Sequence, residues 1–143
     1  MKCRTVIDKS REEEVVIYVH ERTAVSDEIE EFVLGRSSEL IGYIDDEIIR
    51  FSPSEIFCFV TEDNKVFAVR ENERLRLKQR LYVLEEILDT GFVKINQSCI
   101  VNVSKIKKFS ASVGGALLVE LKNGYRDYVS RRQLKTVKER IGI

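Results

Sequence analysis

The first part of the chain alternates short apolar runs with charged segments. Residues 6–7 and 15–19 are rich in Val and Ile, which favour strands, and the charged segment 8–14 separates them. This pattern predicts two strands before residue 20.

A helical period follows these runs. Residues 25–33 place apolar side chains on one helical stripe, Thr23 or Ser26 can cap the first turn, and Gly35 follows the last apolar position. Acidic residues occupy the other positions. The pattern predicts an amphipathic helix whose acidic face is either solvated or a surface for a partner.

From residue 40 onward the apolar period changes to two, which is typical of strands. The segment 73–80 alternates leucines with arginine and lysine, which predicts a strand with one buried face and one basic, solvated face. Residues 79–91 have a helical stripe that predicts a helix of about three turns ended by Gly91. The other strand-like runs are residues 40–44, 46–51, 55–62, 65–70 and 92–95, with tight turns predicted in 96–106.

Two glycine-containing turn signals divide the last third of the chain into three strand-like runs. One of them, Asn123-Gly124, is a strong hairpin signal, so we predict a three-stranded meander. Ser130 then stands three residues before Gln133, which is the pattern of a capping box. Residues 131–141 combine an apolar stripe with many basic residues and predict a short basic helix.

Together these elements predict a mostly β chain of the α+β class, built on an antiparallel sheet with short helices. No Gly- or Pro-rich linker is visible, so the boundary near residue 40 is a change of pattern. We expect residues 1–39 to form a small α/β extension, in strand-strand-helix order, for dimer or partner contacts. We expect residues 40–143 to form a separate β-rich domain.

The charges of the chain are divided unevenly. Residues 1–64 contain 7 Lys and Arg against 16 Asp and Glu, a net charge of −9, whereas residues 65–143 contain 17 against 8, a net charge of +9. A basic half of this kind favours a polyanion such as nucleic acid or an anionic membrane. The alternative is that the two halves attract each other or a second copy.

Composition places the protein in a soluble class. No run approaches the roughly 20 apolar residues of a membrane helix, so we expect a cytoplasmic protein. Cys3, Cys58 and Cys99 are too scattered for a thiolate metal site, and we interpret them as buried apolar residues.

Residue types that catalyse reactions are not grouped in the sequence. His20 is the single histidine and has no neighbouring cysteine for a triad or a zinc site. Gly114-Gly115 lacks the lysine of a phosphate-binding loop. We therefore predict a protein that is not an enzyme and that needs no cofactor and no metal.

Basic residues cluster instead at turns and at the start of the last helix. Arg131 and Arg132 occupy its first turn, where the helix dipole disfavours cations. A phosphate at this position would meet both guanidinium groups and the free backbone N–H groups, whereas ion pairs with acids such as Asp127 are the alternative. Further candidates for nucleic-acid contacts are Lys65, Lys94, Asn96, Gln97, Lys108 and Lys135.

The segment FVKINQSCIVN at residues 92–102, followed by KIKKF, LLVELKNG and YVSRRQLKTVKERI, resembles the LytTR family of bacterial DNA-binding domains. EIFCFVTEDNKVFAV and RLYVLEEIL precede it in the order of the family, so the resemblance covers residues 40–143. It implies a mostly antiparallel β fold that inserts loops, rather than a recognition helix, into successive major grooves of double-stranded DNA.

The resemblance also assigns contacts by position. Base or phosphate contacts fall on Asn64, Lys65, Asn96, Gln97 and Arg132. Backbone contacts beside them fall on Lys94 and Arg131. The first strands and the acidic helix look like those of stand-alone LytTR regulators, some of which are paired with a small membrane protein.

The sequence therefore predicts a bacterial transcriptional regulator that binds specific double-stranded DNA as a homodimer. A protein-interaction or scaffold module with a basic face is one alternative, and a single-stranded nucleic-acid binder is another. Stacking on single-stranded bases needs exposed rings, whereas Phe57, Phe59, Phe67, Phe92 and Phe109 lie within apolar runs typical of a core.

Overall fold

Ten strands and three helices form the regular structure of the computed structural model, which describes residues 2–34, 39–111 and 114–143. The helices are α1 (Ala24–Val33), α2 (Leu81–Ile87) and α3 (Arg131–Ile141). The strands are β1 (Leu40–Ile44), β2 (Glu47–Phe51), β3 (Cys58–Glu62), β4 (Lys65–Val69), β5 (Arg74–Leu77), β6 (Phe92–Asn96), β7 (Cys99–Asn102), β8 (Ile106–Ala111), β9 (Leu117–Leu121) and β10 (Arg126–Val129).

The strands form two antiparallel sheets. The larger sheet has seven strands in the order β2-β1-β5-β4-β3-β7-β6, and the smaller has three in the order β10-β9-β8. The smaller sheet is the predicted meander, because β8 pairs with β9 and β9 pairs with β10. The predicted fold class, mostly β with short helices, is confirmed.

The seven-stranded sheet is buried on both faces over half of its width. Along β3, Phe59 points into a core that includes α2, while Cys58 and Val60 point into a second core. Residues of the smaller sheet and of α3, among them Val119 and Val137, complete the second core. This double burial explains why the central strands are apolar at almost every position.

The other half of the sheet, formed by β5, β1 and β2, is covered on one face. Leu75 and Leu77 of β5 are buried in the first core, whereas Arg74 and Arg76 are exposed on the opposite face. This confirms the predicted strand with one buried and one basic face. The smaller sheet does not extend over β5, so the basic face remains accessible.

Gly42 allows β1 to approach β5 closely. A Cβ atom at this position would lie 2.6 Å from the Cβ of Leu75, a distance that side chains do not tolerate. Because Gly42 has no side chain, the β1–β2 hairpin can pack directly against β5, where Tyr43 pairs with Arg76.

The structure corrects the prediction for the first residues of the chain. Residues 2–22 contain no strand, and all their apolar side chains except the partly buried Ile17 are exposed, with Tyr18 at 93% of its full accessibility. A strand requires a neighbouring strand for its backbone hydrogen bonds, and none pairs with this segment within the described residues. Cys3 is also exposed rather than buried, whereas Cys58 and Cys99 are buried as expected.

Helix α1 is confirmed, including its cap. The Thr23 hydroxyl accepts the backbone N–H of Ser26, and the Ser26 hydroxyl accepts the backbone N–H of Thr23. The predicted helix end at Gly35 lies outside the described residues. The division into 1–39 and 40–143 stays a prediction.

Two helix termini differ from their predictions. Helix α2 is shorter, because Leu88 has extended backbone angles and the Asp89 carboxylate accepts the Gly91 N–H at 2.7 Å. Ser130 precedes α3 as predicted, but its side chain makes no capping bond, since the Gln133 N–H bonds to the Ser130 carbonyl oxygen at 3.0 Å. Among the described residues no helix is long and apolar enough to cross a membrane.

Candidate nucleic-acid interface

Three polar segments that are distant in sequence meet at one edge of the seven-stranded sheet. They are the β3–β4 turn at 63–65, the β6–β7 turn at 96–98 and the start of α3 at 130–132; we call them the loop edge. Backbone hydrogen bonds join them: the Thr61 N–H donates to the Ser98 carbonyl at 2.9 Å, and the Ser130 N–H donates to that of Ile95 at 2.8 Å. Because adjacent strands lie about 4.8 Å apart and the β4–β3 and β7–β6 hairpins are neighbours in the sheet, the two turns are roughly 10 Å apart.

The β3–β4 turn is a tight two-residue hairpin. Asp63 and Asn64 have φ values of 50° and 60°, the left-handed conformation that Asn and Asp tolerate and that type I′ turns require. The conformation exposes the Asn64 side chain at the tip and places Lys65 at the start of β4, also exposed. Two of the predicted contact residues therefore project together from the loop edge.

The two neighbouring amide side chains of the β6–β7 turn, Asn96 and Gln97, have different roles. The Asn96 side chain is used internally: its Nδ2 donates to the Tyr128 carbonyl at 2.8 Å, and its Oδ1 accepts the Ser98 N–H at 2.8 Å. It thereby shapes the turn and ties β10 to β6. Gln97 lies at the exposed tip and has no hydrogen-bond partner among the described residues. The geometry leaves Gln97, rather than Asn96, available to a ligand.

The start of α3 presents two arginines on an uncapped helix terminus. Arg131 and Arg132 are exposed because the apolar stripe of the helix, with Val137 fully buried, faces the second core. Lys135 is exposed one turn further along. The first N–H groups of a helix have no acceptor within the helix, so this terminus can donate to an anion that the arginines also bind.

Two predicted contact residues lie away from the loop edge. Lys94 is in the interior of β6, where its side chain is 18% exposed and pairs with Glu85 of α2 at 3.5 Å. Lys108 is in β8, three residues from the end of that strand, and its amine lies 3.3 Å from Glu120. Both cations already have a carboxylate partner in the structure.

Glu120 is the centre of a small ion cluster on the three-stranded sheet. Its mostly buried carboxylate accepts hydrogen bonds from Arg126 at 3.1 Å and 3.2 Å, and Lys108 approaches from the other neighbouring strand. The hydrogen bonds from Arg126, supported by the nearby Lys108 amine, hold the pKa of Glu120 below its usual range. Lys108 therefore balances a carboxylate within its own sheet.

Sequence reasoning missed three cations near the β3–β4 turn. Arg76 and Lys78 belong to the exposed face of β5, and Arg80 follows them before α2. The Arg80 Nη1 donates to the Asn64 carbonyl at 3.3 Å, which links this segment to the turn. The alternation of leucine with arginine and lysine in residues 73–80 predicted that one face of β5 is basic. The strand order was needed to place that face beside Asn64.

The arrangement can bind an extended anion. Cations and amide groups stand in one row along the loop edge, and the described residues include no cluster of three metal-ligating side chains. Neighbouring Arg74 is neutralised, since two hydrogen bonds join it to Glu62 at 2.6 Å and 2.9 Å. Those bonds hold the pKa of Glu62 below its usual range. The other cations of the row form no ion pair with any residue that the structure describes.

Comparison with known proteins identifies relatives over most of the chain. The LytTr DNA-binding domain family matches residues 46–142. Two transcriptional regulators of Staphylococcus aureus, from strains NCTC 8325 and COL, are each 39% identical over 110 residues, which cover 77% of this chain and 75% of the relative. Both are named as uncharacterized HTH-type regulators.

The fold comparison agrees with the sequence comparison. A solved LytTr DNA-binding domain from Bacillus cereus superposes with a TM-score of 0.70 at 24% identity, covering 75% of this chain and 99% of that domain. Strands lie between successive helices throughout the described parts of this chain, so no helix-turn-helix occurs there. The family match and the relatives lead to one conclusion: the chain belongs to the LytTR family of DNA-binding domains.

Proposed function

We propose that the protein regulates bacterial transcription by binding specific sites on double-stranded DNA through the loop edge. The observation that carries this proposal is the convergence of three polar segments from separate parts of the chain on one edge. Membership in a DNA-binding family supports the use of this edge for DNA.

Each group on the edge has a role that follows from its chemistry. Arg132 can donate two hydrogen bonds to the O6 and N7 of guanine, and Asn64 and Gln97 offer amides suited to adenine edges. Lys65, Arg131 and Lys135 supply charge for phosphates. Asn96 positions the β6–β7 turn through its two internal bonds. Sequence specificity would then depend on a few side chains, with phosphate contacts setting the register.

A single-stranded nucleic-acid binder fits the structure less well. Phe57, Phe59 and Phe92 are buried in the two cores and cannot stack on bases.

Selection from a pool of random duplex DNA tests the proposal. The purified chain should enrich a short motif, because base contacts at the loop edge discriminate between sequences. The same selection with Arg132→Ala serves as the control and should yield a motif with one position relaxed. A folded protein that enriches no motif would refute sequence-specific binding.

We also propose that the protein acts as a homodimer through its N-terminal extension. Helix α1 exposes apolar residues, with Phe32 at 77% and Val25 at 52% of full accessibility, and an exposed apolar stripe favours a partner. Pairing with a small membrane regulatory protein is the alternative use of this surface.

The dimer predicts two similar half-sites about one or two helical turns apart, each contacted by one loop edge. Light scattering should show the mass of two chains, free or on DNA, and Phe32→Asp should shift it toward one chain. The exposed Tyr82→Asp on α2 is the matched control. A strict monomer on a single half-site would contradict this proposal.

A further inference from the structure

An open recess of about 840 Å³ lies beside the β3–β4 turn, on the face of β5 that the smaller sheet leaves uncovered. We call it the β5 recess. The side chains that matter most for its chemistry are Tyr43, Lys65, Phe67, Arg76, Lys78 and Arg80.

The β5 recess has a strong excess of positive charge. Asp45 is the one carboxylate among its lining residues, whereas five lysines and arginines line it. Arg74 is neutralised by Glu62. The other four cations are exposed, and none lies within 4.0 Å of a carboxylate in the described parts of the chain: Lys65, Arg76, Lys78 and Arg80.

Contacts within the recess restrain the Lys78 side chain and the backbone of Arg76. The Lys78 amine lies 5.0 Å from the centre of the Tyr43 ring, a cation–π distance that limits the freedom of the side chain. Arg76 is fixed at its base, because β5 pairs with β4 on one side and with Tyr43 of β1 on the other. A ligand that meets Lys78 therefore costs less side-chain entropy than it would at an unrestrained lysine.

The recess continues the loop edge. Leu77 pairs with Val66, which places Lys78 one strand spacing, about 4.8 Å, from Lys65 and the turn tip. Lys65 and Lys78 lie on the face of the sheet that packs against the second core, and α3 packs against the same core. The cations of the β5 recess and the arginines of α3 thus lie on the same side of the sheet, at opposite ends of the row.

We propose that the β5 recess binds backbone phosphates of the duplex, next to the bases that face the turn at 63–65. This inference rests on the proposed function and extends its interface to β5. A duplex is longer than the loop edge, so a duplex lying along the row passes over the recess. Its phosphates carry one negative charge per roughly 1.7 Å of axis, a density that matches a cluster of unpaired cations.

The double variant Arg76→Ala/Lys78→Ala in the full chain tests the inference. Each lost phosphate contact lowers the slope of log affinity against log salt by about 0.9, so the slope should fall by nearly two units. At about 0.1 M salt the affinity should drop by about 10- to 100-fold, equally on the selected site and on random duplex. Lys122→Ala is the matched control and should change neither quantity: this exposed lysine follows β9, and its neighbour Asn123 bonds to the Arg70 carbonyl at 3.4 Å, at the end of β4 opposite the loop edge.

Contrary results separate this inference from the proposed function. If the slope is unchanged in the double variant while Arg132→Ala still weakens binding to the selected site, phosphate binding by the β5 recess is overturned and the proposed function stands. A loss confined to the selected site would show base contacts instead of phosphate contacts. Tighter DNA binding by the variant would mean that the recess holds an acidic segment, such as residues 12–31, and would also overturn it.

The variant must be folded for these results to count. Thermal unfolding checks this, and Arg76→Gln/Lys78→Gln, which keeps most of the side-chain length, replaces it if the alanine pair unfolds. Arg80 is left unchanged because its bond to the Asn64 carbonyl supports the turn. An unmodified chain that binds no duplex would refute the proposed function and this inference with it.

Discussion

Binding to duplex DNA is expected to weaken by about 100- to 1,000-fold when the salt concentration rises from about 50 to about 200 mM. The reason is counterion release, since each phosphate contact frees a condensed cation whose return becomes easier at high salt. About four to six contacts give a slope of about −4 to −5 in a plot of log affinity against log salt. The cations that we expect to contribute are Lys65, Arg131 and Lys135 on the loop edge, with Arg76 and Lys78 in the β5 recess.

Titrations of the full chain at several salt concentrations measure this slope. Circular dichroism at the two extreme salt concentrations is the control, because a change of fold would also change the affinity. If the affinity for duplex DNA does not change over this range of salt concentration, the proposed phosphate contacts are wrong.

Replacing Arg132 by alanine is expected to cost about 1–3 kcal/mol of binding free energy on the selected site and much less on random duplex. The guanidinium group is exposed at the uncapped start of α3, where it can form two hydrogen bonds to one guanine edge. Competition between selected and random DNA measures the difference. Base preference should flatten at a single position of the motif.

Lys138→Ala is a suitable control on the same helix. Lys138 is exposed and lies six residues, or about 9 Å, further along α3. Its replacement should leave base preference unchanged. Equal losses on selected and random DNA for Arg132→Ala, with unchanged thermal stability, would make Arg132 a phosphate contact rather than a base reader.

The different positions of the two amide side chains in the β6–β7 turn determine how mutations there should be interpreted. Asn96 and Gln97 are neighbours in sequence, yet Asn96 holds two backbone groups in place while the Gln97 side chain bonds to none of the described residues. Loss of DNA binding after a change at Asn96 would therefore report a displaced turn. Loss after a change at Gln97, with the fold intact, would report a missing contact.

Much of the domain was predictable from the sequence by itself because the signals were local. The period of two in β5, the Asp63-Asn64 turn and the apolar stripe of α3 depend on residues a few positions apart. Burial follows from such periods, since successive strand residues point to opposite faces of a sheet and helical residues three or four apart share a face. The family resemblance in residues 40–143 arises from the same segments.

Tertiary structure decided which of these segments act together. Lys94 and Lys108 are both predicted contacts, but carboxylates on α2 and β9 neutralise them. The apolar run at 15–19 has the composition of a strand, but no strand pairs with it in the described chain. Pairing and neutralisation depend on partners that are distant in sequence, and a local pattern contains no information about those partners.

The sequence by itself determined the strands within residues 40–143, the tight turns and the basic last helix, because each follows from local conformational preference and hydrophobic period. The strand order, in which β5, β4, β3, β7 and β6 are neighbours, was decided by the packing of the two cores. That packing brings the turns at 63–65 and 96–98 to one edge with Arg132 and leaves the basic face of β5 uncovered beside them. The proposed interface is therefore a property of the tertiary structure, since long-range packing alone selects which local elements become neighbours.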